Sequence, residues 1–328
     1  MRDKRAIVVC ELCPRECHLG PGERGDCRIR ANLDGRLVAL TYGFPCAVHV
    51  DPMEKKPLFH FLPGTPILSL ATAGCNLHCK NCQNWEISQA NPEDVDAAAL
   101  LPPAVVGLAR REGCPAIAFT YTEPVCWYEY TLDTARLART AGVRSVLVTA
   151  AYLNEAPARE LASVMDAANI DLKFMSEARY RDVCDGELAP ILRAIELMKS
   201  LGVWVEVTNL VIPTLNDSDE DLRRVAAWVH GVLGPDTPLH YSAFYPQYRL
   251  RHLPPTPPDA LSRAREIGLA EGLRYVYAGN VRIPDGETTF CPACRRAVVR
   301  RFRFSVLENR IVGGACGYCA ETVAGVWR

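Results

Sequence analysis

Three cysteines, Cys75, Cys79 and Cys82, stand in the stretch GCNLHCKNCQNW with the spacing C-x3-C-x2-C. Zinc sites and ordinary iron–sulfur sites take four protein ligands. A metal centre held by three thiolates keeps one coordination position free, and a free position is where chemistry is done. The plainer alternative is a four-cysteine site whose fourth ligand lies elsewhere. Two more groups flank this one. Cys291 and Cys294 (CPAC) and Cys316 and Cys319 (CGYC) form two C-x2-C knuckles, a zinc-ribbon pattern that holds structure or touches a partner. Cys10, Cys13, Cys17 and Cys27 lie in CELCPRECHLGPGERGDC. Thiolates there suit zinc or an auxiliary 4Fe–4S cluster; the CELCP knuckle and the tight GPGERGDC loop favour zinc. The remaining four cysteines, Cys46, Cys114, Cys126 and Cys184, read as small buried hydrophobes.

These residues need elements to position them. Seven short apolar runs alternate with helical stretches: PILSLAT, AIAFTY, RSVLVTA, ANIDLK, VWVEVTNLVI, PLHYSAF and RYVYAG. Runs rich in Val and Ile suit strands buried on both faces, and strands alternating with crossover helices give a parallel sheet. LPPAVVGLARREG opens on proline and closes on basic residues and glycine, and DSDEDLRRVAAWVHGVLG carries a Ser218/Asp221 capping pattern, so both read as helices. Polar residues recur at or after successive strands: Glu123, Thr149, Asp171 with Lys173, Asn209, His240 and Asn280. Spread over so many strands, they would ring one site at the C-terminal rim of a barrel. A doubly wound sheet would gather them at one crevice. The expected fold is α/β: a partial (β/α)6-type TIM-like barrel over residues 66–283, a Cys-rich segment over 1–65 and a zinc-ribbon-like segment over 284–328.

The chain has 328 residues, 49% of them hydrophobic, and a formal net charge of −1. That gives ample core and no electrostatic case for nucleic acid. The N-terminus has basic residues followed by only four apolar ones, too few for a signal-peptide core, and no apolar run reaches membrane-spanning length. The expectation is a cytoplasmic protein that does not contact a membrane. Fifteen cysteines in a reducing compartment point to metal or redox chemistry rather than disulfides.

The stretches DPMEKKPLFHFLPG, GCNLHCKNCQNWEIS, FTYTEP, LVIPTLND and HYSAFYPQYRL, with the terminal cysteine clusters, carry a resemblance to the radical SAM superfamily across nearly the whole chain. More narrowly the chain resembles the group related to glycyl-radical-enzyme activases, and within it the radical SAM proteins of the AmmeMemoRadiSam system. The resemblance implies a 4Fe–4S cluster on Cys75, Cys79 and Cys82, chelated by S-adenosylmethionine (SAM) and reduced by a low-potential donor such as flavodoxin or ferredoxin. Reductive cleavage of SAM would give methionine and a 5′-deoxyadenosyl radical that abstracts hydrogen from a substrate. By position, Glu123 in TYTEP would meet the methionine amine, Asp171 and Lys173 in IDLK would lie near the methionine carboxylate or the substrate, and His240 and Thr149 would complete the cofactor contacts. A capping glutamate, a packing ion pair and a merely hydrogen-bonded histidine are the plainer readings of these residues. The chain departs from the family in two places. Asn81 stands where an aromatic residue is usual before the third cysteine, which leaves Trp85 or a different contact for adenine. Tyr121 and Thr122 replace a glycine pair. A protein or peptide substrate is expected, because the group includes enzymes that act on protein backbones and because small metal-stapled modules flank both ends. The competing readings are a zinc-rich module binding nucleic acid or protein without SAM chemistry, and a ferredoxin-like electron carrier.

Overall fold

The computed structural model describes residues 7–328; most of the basic N-terminus behind the signal-peptide reading lies outside them. Eight strands form the main sheet: β1 (Ala47–Pro52), β2 (Pro66–Ala71), β3 (Ala116–Phe119), β4 (Arg144–Thr149), β5 (Ala167–Asp171), β6 (Trp204–Val211), β7 (Leu239–Ala243) and β8 (Val276–Gly279). From β2 to β8 the strands are parallel and neighbours in chain order, while β1 runs antiparallel to β2 at the edge. All seven apolar runs became parallel strands. The sheet is a partial TIM-like barrel, with seven parallel strands where a six-stranded core was expected. The addition of β1 was not expected, and it comes from the segment assigned to residues 1–65. Its run AVHVDP is short, polar and half exposed, so it lacks the apolar signature of its neighbours.

Six helices cover the outer face: α1 (Pro102–Arg111), α2 (Tyr128–Thr140), α3 (Glu155–Ala162), α4 (Leu188–Ser200), α5 (Asp219–Trp228) and α6 (Pro258–Ala270). Proline opens α1 and basic residues close it. The Ser218 hydroxyl caps α5 by accepting from the Asp221 amide at 3.1 Å. The apolar faces of the helices pack with the outer side chains of the strands in one continuous core. Among the described residues no helix is long and apolar enough to cross a membrane.

The two sheet edges, β1 and β8, are not paired with each other, so the barrel is open on one side. The segment Pro57–Leu62 closes its floor. The buried Glu206 carboxylate on β6 accepts the backbone amides of Phe59 (3.0 Å) and His60 (2.8 Å) and the Trp204 indole N–H (3.1 Å), and it pairs with His240 Nε2 at 2.7 Å. The C-terminal module clasps this floor from outside. Its antiparallel strands Ala297–Phe302 and Ser305–Asn309 form the hairpin expected from their alternation. Arg301 donates to the Phe59 carbonyl at 2.6 Å and lies 3.5 Å from the buried Glu54 carboxylate.

Candidate active site

The loop that follows β2 carries Cys75, Cys79 and Cys82 to the C-terminal rim, where they line a cavity of about 520 Å³. The loop is pinned to the chain beyond β5: the amides of His78 and Lys80 donate to the carbonyls of Cys184 (3.0 Å) and Val183 (2.8 Å). Burial, reinforced by Glu123, pushes the Cys75 thiol well up, and burial also raises Cys82. Cys79 moves the other way, because Cys184 hydrogen-bonds to it. Further partners stabilise sulfur charge: the Leu77 amide donates to Cys75 Sγ at 3.4 Å and the Ser88 hydroxyl lies 3.2 Å from Cys82 Sγ. Buried thiols surrounded by donors suit thiolates that bind a metal.

Every parallel strand contributes to the same cavity: Glu123 follows β3, Thr149 ends β4, Asp171 ends β5 and Lys173 follows it, β6 and β7 supply Thr208 and Ser242, and Asn280 follows β8. Glu123 is fully enclosed. It accepts the Thr149 hydroxyl (2.6 Å) and the Ala150 amide (2.8 Å), with the Val125 amide at 3.2 Å. Burial raises its pKa against these donors, so a cation beside it would be bound strongly. Lys173 Nζ lies 2.8 Å from Asp171 Oδ2. Burial works against the Lys173 ammonium, but Asp171 and the Cys79 and Cys184 sulfurs outweigh it and hold its pKa well above the ordinary value. The rim thus presents three sulfurs, a carboxylate with no ion-pair partner among the described residues and a paired lysine around one space.

His240 is not brought to this space. It sits one layer down on β7, paired with Glu206 and packed between Phe59 (4.9 Å) and Tyr277 (5.1 Å), and Ser242, two residues on along the same face, takes the rim position. Asn209 likewise faces the other way and holds the Leu172 carbonyl at 2.7 Å, while its neighbour Thr208 lines the cavity. Trp85 stacks on Tyr248 at 5.2 Å and is not part of the lining. Asn81 is, and its buried Oδ1 has no partner. Tyr121 makes the turn at the glycine-pair position with φ +65°, a left-handed conformation that costs a non-glycine residue about 1–2 kcal/mol. Its hydroxyl donates to Asp51, which anchors it. Asp51 also pairs with Lys55 and Lys56, each at 2.7 Å, and both lysines line the cavity mouth. Burial lowers the Lys56 pKa to about 8 against the pull of Asp51. The DPMEKK string carried this cluster in plain view, but its aspartate and lysines meet Tyr121 only through the pairing of β1 with β2.

At the C-terminus, Cys291, Cys294, Cys316 and Cys319 converge with all four sulfurs within 4.8 Å of one another. Cys291 and Cys319 lie 3.6 Å apart, and Cys294 and Cys316 3.8 Å. Four thiolates about 2.3 Å from one tetrahedral ion would be spaced about 3.8 Å apart. At the N-terminus, Cys10, Cys13, Cys17 and Cys27 face one small pocket.

A sequence model of the radical SAM superfamily matches residues 69–229, which spans β2 to α5 and includes the three-cysteine loop. The chain is 43% identical over 318 residues to a protein of Methanocaldococcus jannaschii described as uncharacterized, covering 96% of this chain and 95% of that one. It is 24% identical over 156 residues to the pyruvate formate-lyase-activating enzyme of Clostridium pasteurianum, covering 47% of this chain and 65% of that one. In fold it is similar to a radical SAM methyltransferase from Sphaerobacter thermophilus, with a TM-score of 0.52, 17% identity and coverage of 67% of this chain and 68% of that one. The partial barrel and the rim-mounted cysteines agree with the family match: the chain belongs to the radical SAM superfamily and is a radical SAM enzyme.

Proposed function

We propose that the protein cleaves SAM reductively at a 4Fe–4S cluster held by Cys75, Cys79 and Cys82 and that it acts on a protein or peptide. The observation that carries the first part is the three-thiolate loop opening into a cavity whose carboxylate, Glu123, has no ion-pair partner among the described residues. The residues fit the group. Glu123 has room for one more donor besides its three, as an ammonium requires. The Lys173 ammonium suits a carboxylate, and the orphaned Asn81 Oδ1 suits an amino N–H of an adenine ring. Thr149 acts through Glu123, holding its carboxylate toward the cavity. Cluster and SAM together supply one-electron cleavage of a sulfonium and hydrogen-atom abstraction. The chain's own residues bind, orient and exclude water.

The protein or peptide substrate is supported by a second cavity of about 580 Å³ that shares Asn280 and Phe304 with the first and is lined by Tyr245, Phe302 and Arg303. Tyr245, Phe302 and Phe304 are exposed. A path with aromatic walls leading out of the site along the hairpin suits an extended chain better than a small metabolite. Two relatives are named as activating enzymes, for pyruvate formate-lyase and benzylsuccinate synthase, and such activases act on proteins. The C-terminal four cysteines hold zinc in this reading, in keeping with their tetrahedral spacing.

Anaerobic reduction of the iron-loaded protein with SAM should yield methionine and 5′-deoxyadenosine, and the C75A/C79A/C82A variant should yield neither. Product formation by that variant would end this reading. With a deuterated candidate protein, label should reach 5′-deoxyadenosine; label arriving only from a small metabolite would overturn the substrate class.

A further inference from the structure

We infer that Cys10, Cys13, Cys17 and Cys27 hold a second 4Fe–4S cluster, seated against the three-cysteine loop and exchanging one electron with the cluster there. The partnership rests on the proposed triad cluster; the identity of the N-terminal centre does not. The sequence alone favoured zinc, and three structural observations reverse that preference.

The first is spacing. Among the described residues, the C-terminal four are the group of three or more His, Cys, Asp or Glu whose ligand atoms all lie within 4.8 Å of one another. The N-terminal four line a common pocket yet stand outside that limit, and so does the triad. A single tetrahedral zinc draws its sulfurs to about 3.8 Å. A group with several metal atoms spreads them wider.

The second is the donor environment. The buried Arg30 guanidinium and the Asn76 side chain line the pocket with the four sulfurs. A nearby cation makes reduction of a cluster easier.

The third is placement. Asn76, which lines the same pocket as Cys13, is the covalent neighbour of Cys75. Gly74, on the other side of Cys75, has φ +89°, and a Cβ there would stand 2.5 Å from the Cys27 carbonyl oxygen. Arg15 Nε donates to the Asn76 carbonyl at 2.8 Å, and Asp26 pairs with His78 at 2.8 Å. Cys126 lines the pocket together with Cys27. The two sulfur sets therefore share walls. A redox-inert ion would leave this contact without a use. A cluster would take one electron from a low-potential one-electron carrier protein, passing from 2+ to 1+, and return to 2+ as it hands that electron to the triad cluster. No atoms move.

The test loads the full chain with iron and sulfide anaerobically and measures iron, zinc and labile sulfide, then records EPR spectra after dithionite reduction. The C75A/C79A/C82A variant should keep about four irons and the spectrum of a reduced cluster. The C10S/C13S variant should lose that signal and keep the triad's. The fully reduced wild type should show spin–spin broadening that both variants lack. Zinc without iron at the N-terminal site of the triad variant would overturn the cluster, and two unbroadened spectra in the wild type would overturn the electron exchange. Iron at both sites without SAM cleavage would instead count against the proposed function and leave this centre standing.

Discussion

Glu123 accepts a hydroxyl and two amides and still stands in a cavity that raises its pKa. The charge is maintained at a cost that a bound ammonium would remove. Replacing it by Gln keeps the shape and discards the charge. Hydrogen bonds between charged groups contribute about 1.5–3 kcal/mol, so Glu123→Gln should weaken SAM binding by roughly tenfold to a hundredfold, with iron content unchanged. Titration calorimetry on the iron-loaded protein checks this; equal affinity would assign Glu123 a structural role only. At this scale the sequence was legible where a residue type and a strand end coincided, as for Glu123, Thr149, Asp171 and Lys173. It misled where depth along a strand or side-chain facing decides: Ser242, one layer above His240 on the same face, and Thr208, facing opposite to Asn209, are the residues that reach the rim. Cys126 and Cys184, read as small buried hydrophobes, are buried in the main core.

The floor segment Pro57–Leu62 is an element without regular structure, and hydrogen bonds hold it. His60 within it bonds to the Ala324 carbonyl at 2.6 Å and to the Tyr277 hydroxyl. Burial pushes its pKa down to about 4, although Glu206 pulls the other way and Arg301 and His240 assist the depression. In the unfolded chain the ring titrates near 6.5. Between these values the unfolded state binds the extra proton, so this part of the stability is present above about pH 6.5 and is lost as pH falls toward 4. From pH 7 to pH 5 the loss from this group is about 2 kcal/mol. Glu206 does not interfere in that window. Burial opposes its charge, but His240 outweighs that and lowers its pKa, so its contribution is lost only at more acid pH. Urea midpoints at pH 7 and pH 5 should therefore fall more in the wild type than in His60→Gln. Equal falls would mean that His60 is charged in the folded protein. The seven parallel strands were readable because each is a compact apolar run. The floor was not, because its partners are the Glu206 carboxylate on β6 and the C-terminal module, and β1 was not, because its run is short, polar and half exposed.

Two small modules divide the molecule between them. The N-terminal one docks on the rim beside the three-cysteine loop, and the C-terminal one runs from the floor, where Arg301 meets Phe59, to the rim, where Phe304 lines the cavity. Removing Cys291 and Cys294 should release one zinc and lower the thermal midpoint, because metal binding there is part of folding that module. The triad's iron and visible absorption should persist. Loss of iron in step with zinc would show that the floor and the rim unfold as one unit.

The floor is latched by residues from opposite ends of the sequence. The Leu62 amide donates to the Val326 carbonyl and the Val326 amide to the His60 carbonyl, each at 2.7 Å, and the His60 contact with Ala324 spans 264 positions. A ribosome delivers these residues at very different times. The strands can pair in order as they emerge, each beside the one before, but the barrel waits with an open base until residue 326 has left the exit tunnel. Contacts of such long sequence separation form late and slowly. During that interval the buried carboxylate of Glu206 and the ring of Phe59 face water, so the nascent chain is vulnerable at its base while its metal-binding rim can already assemble.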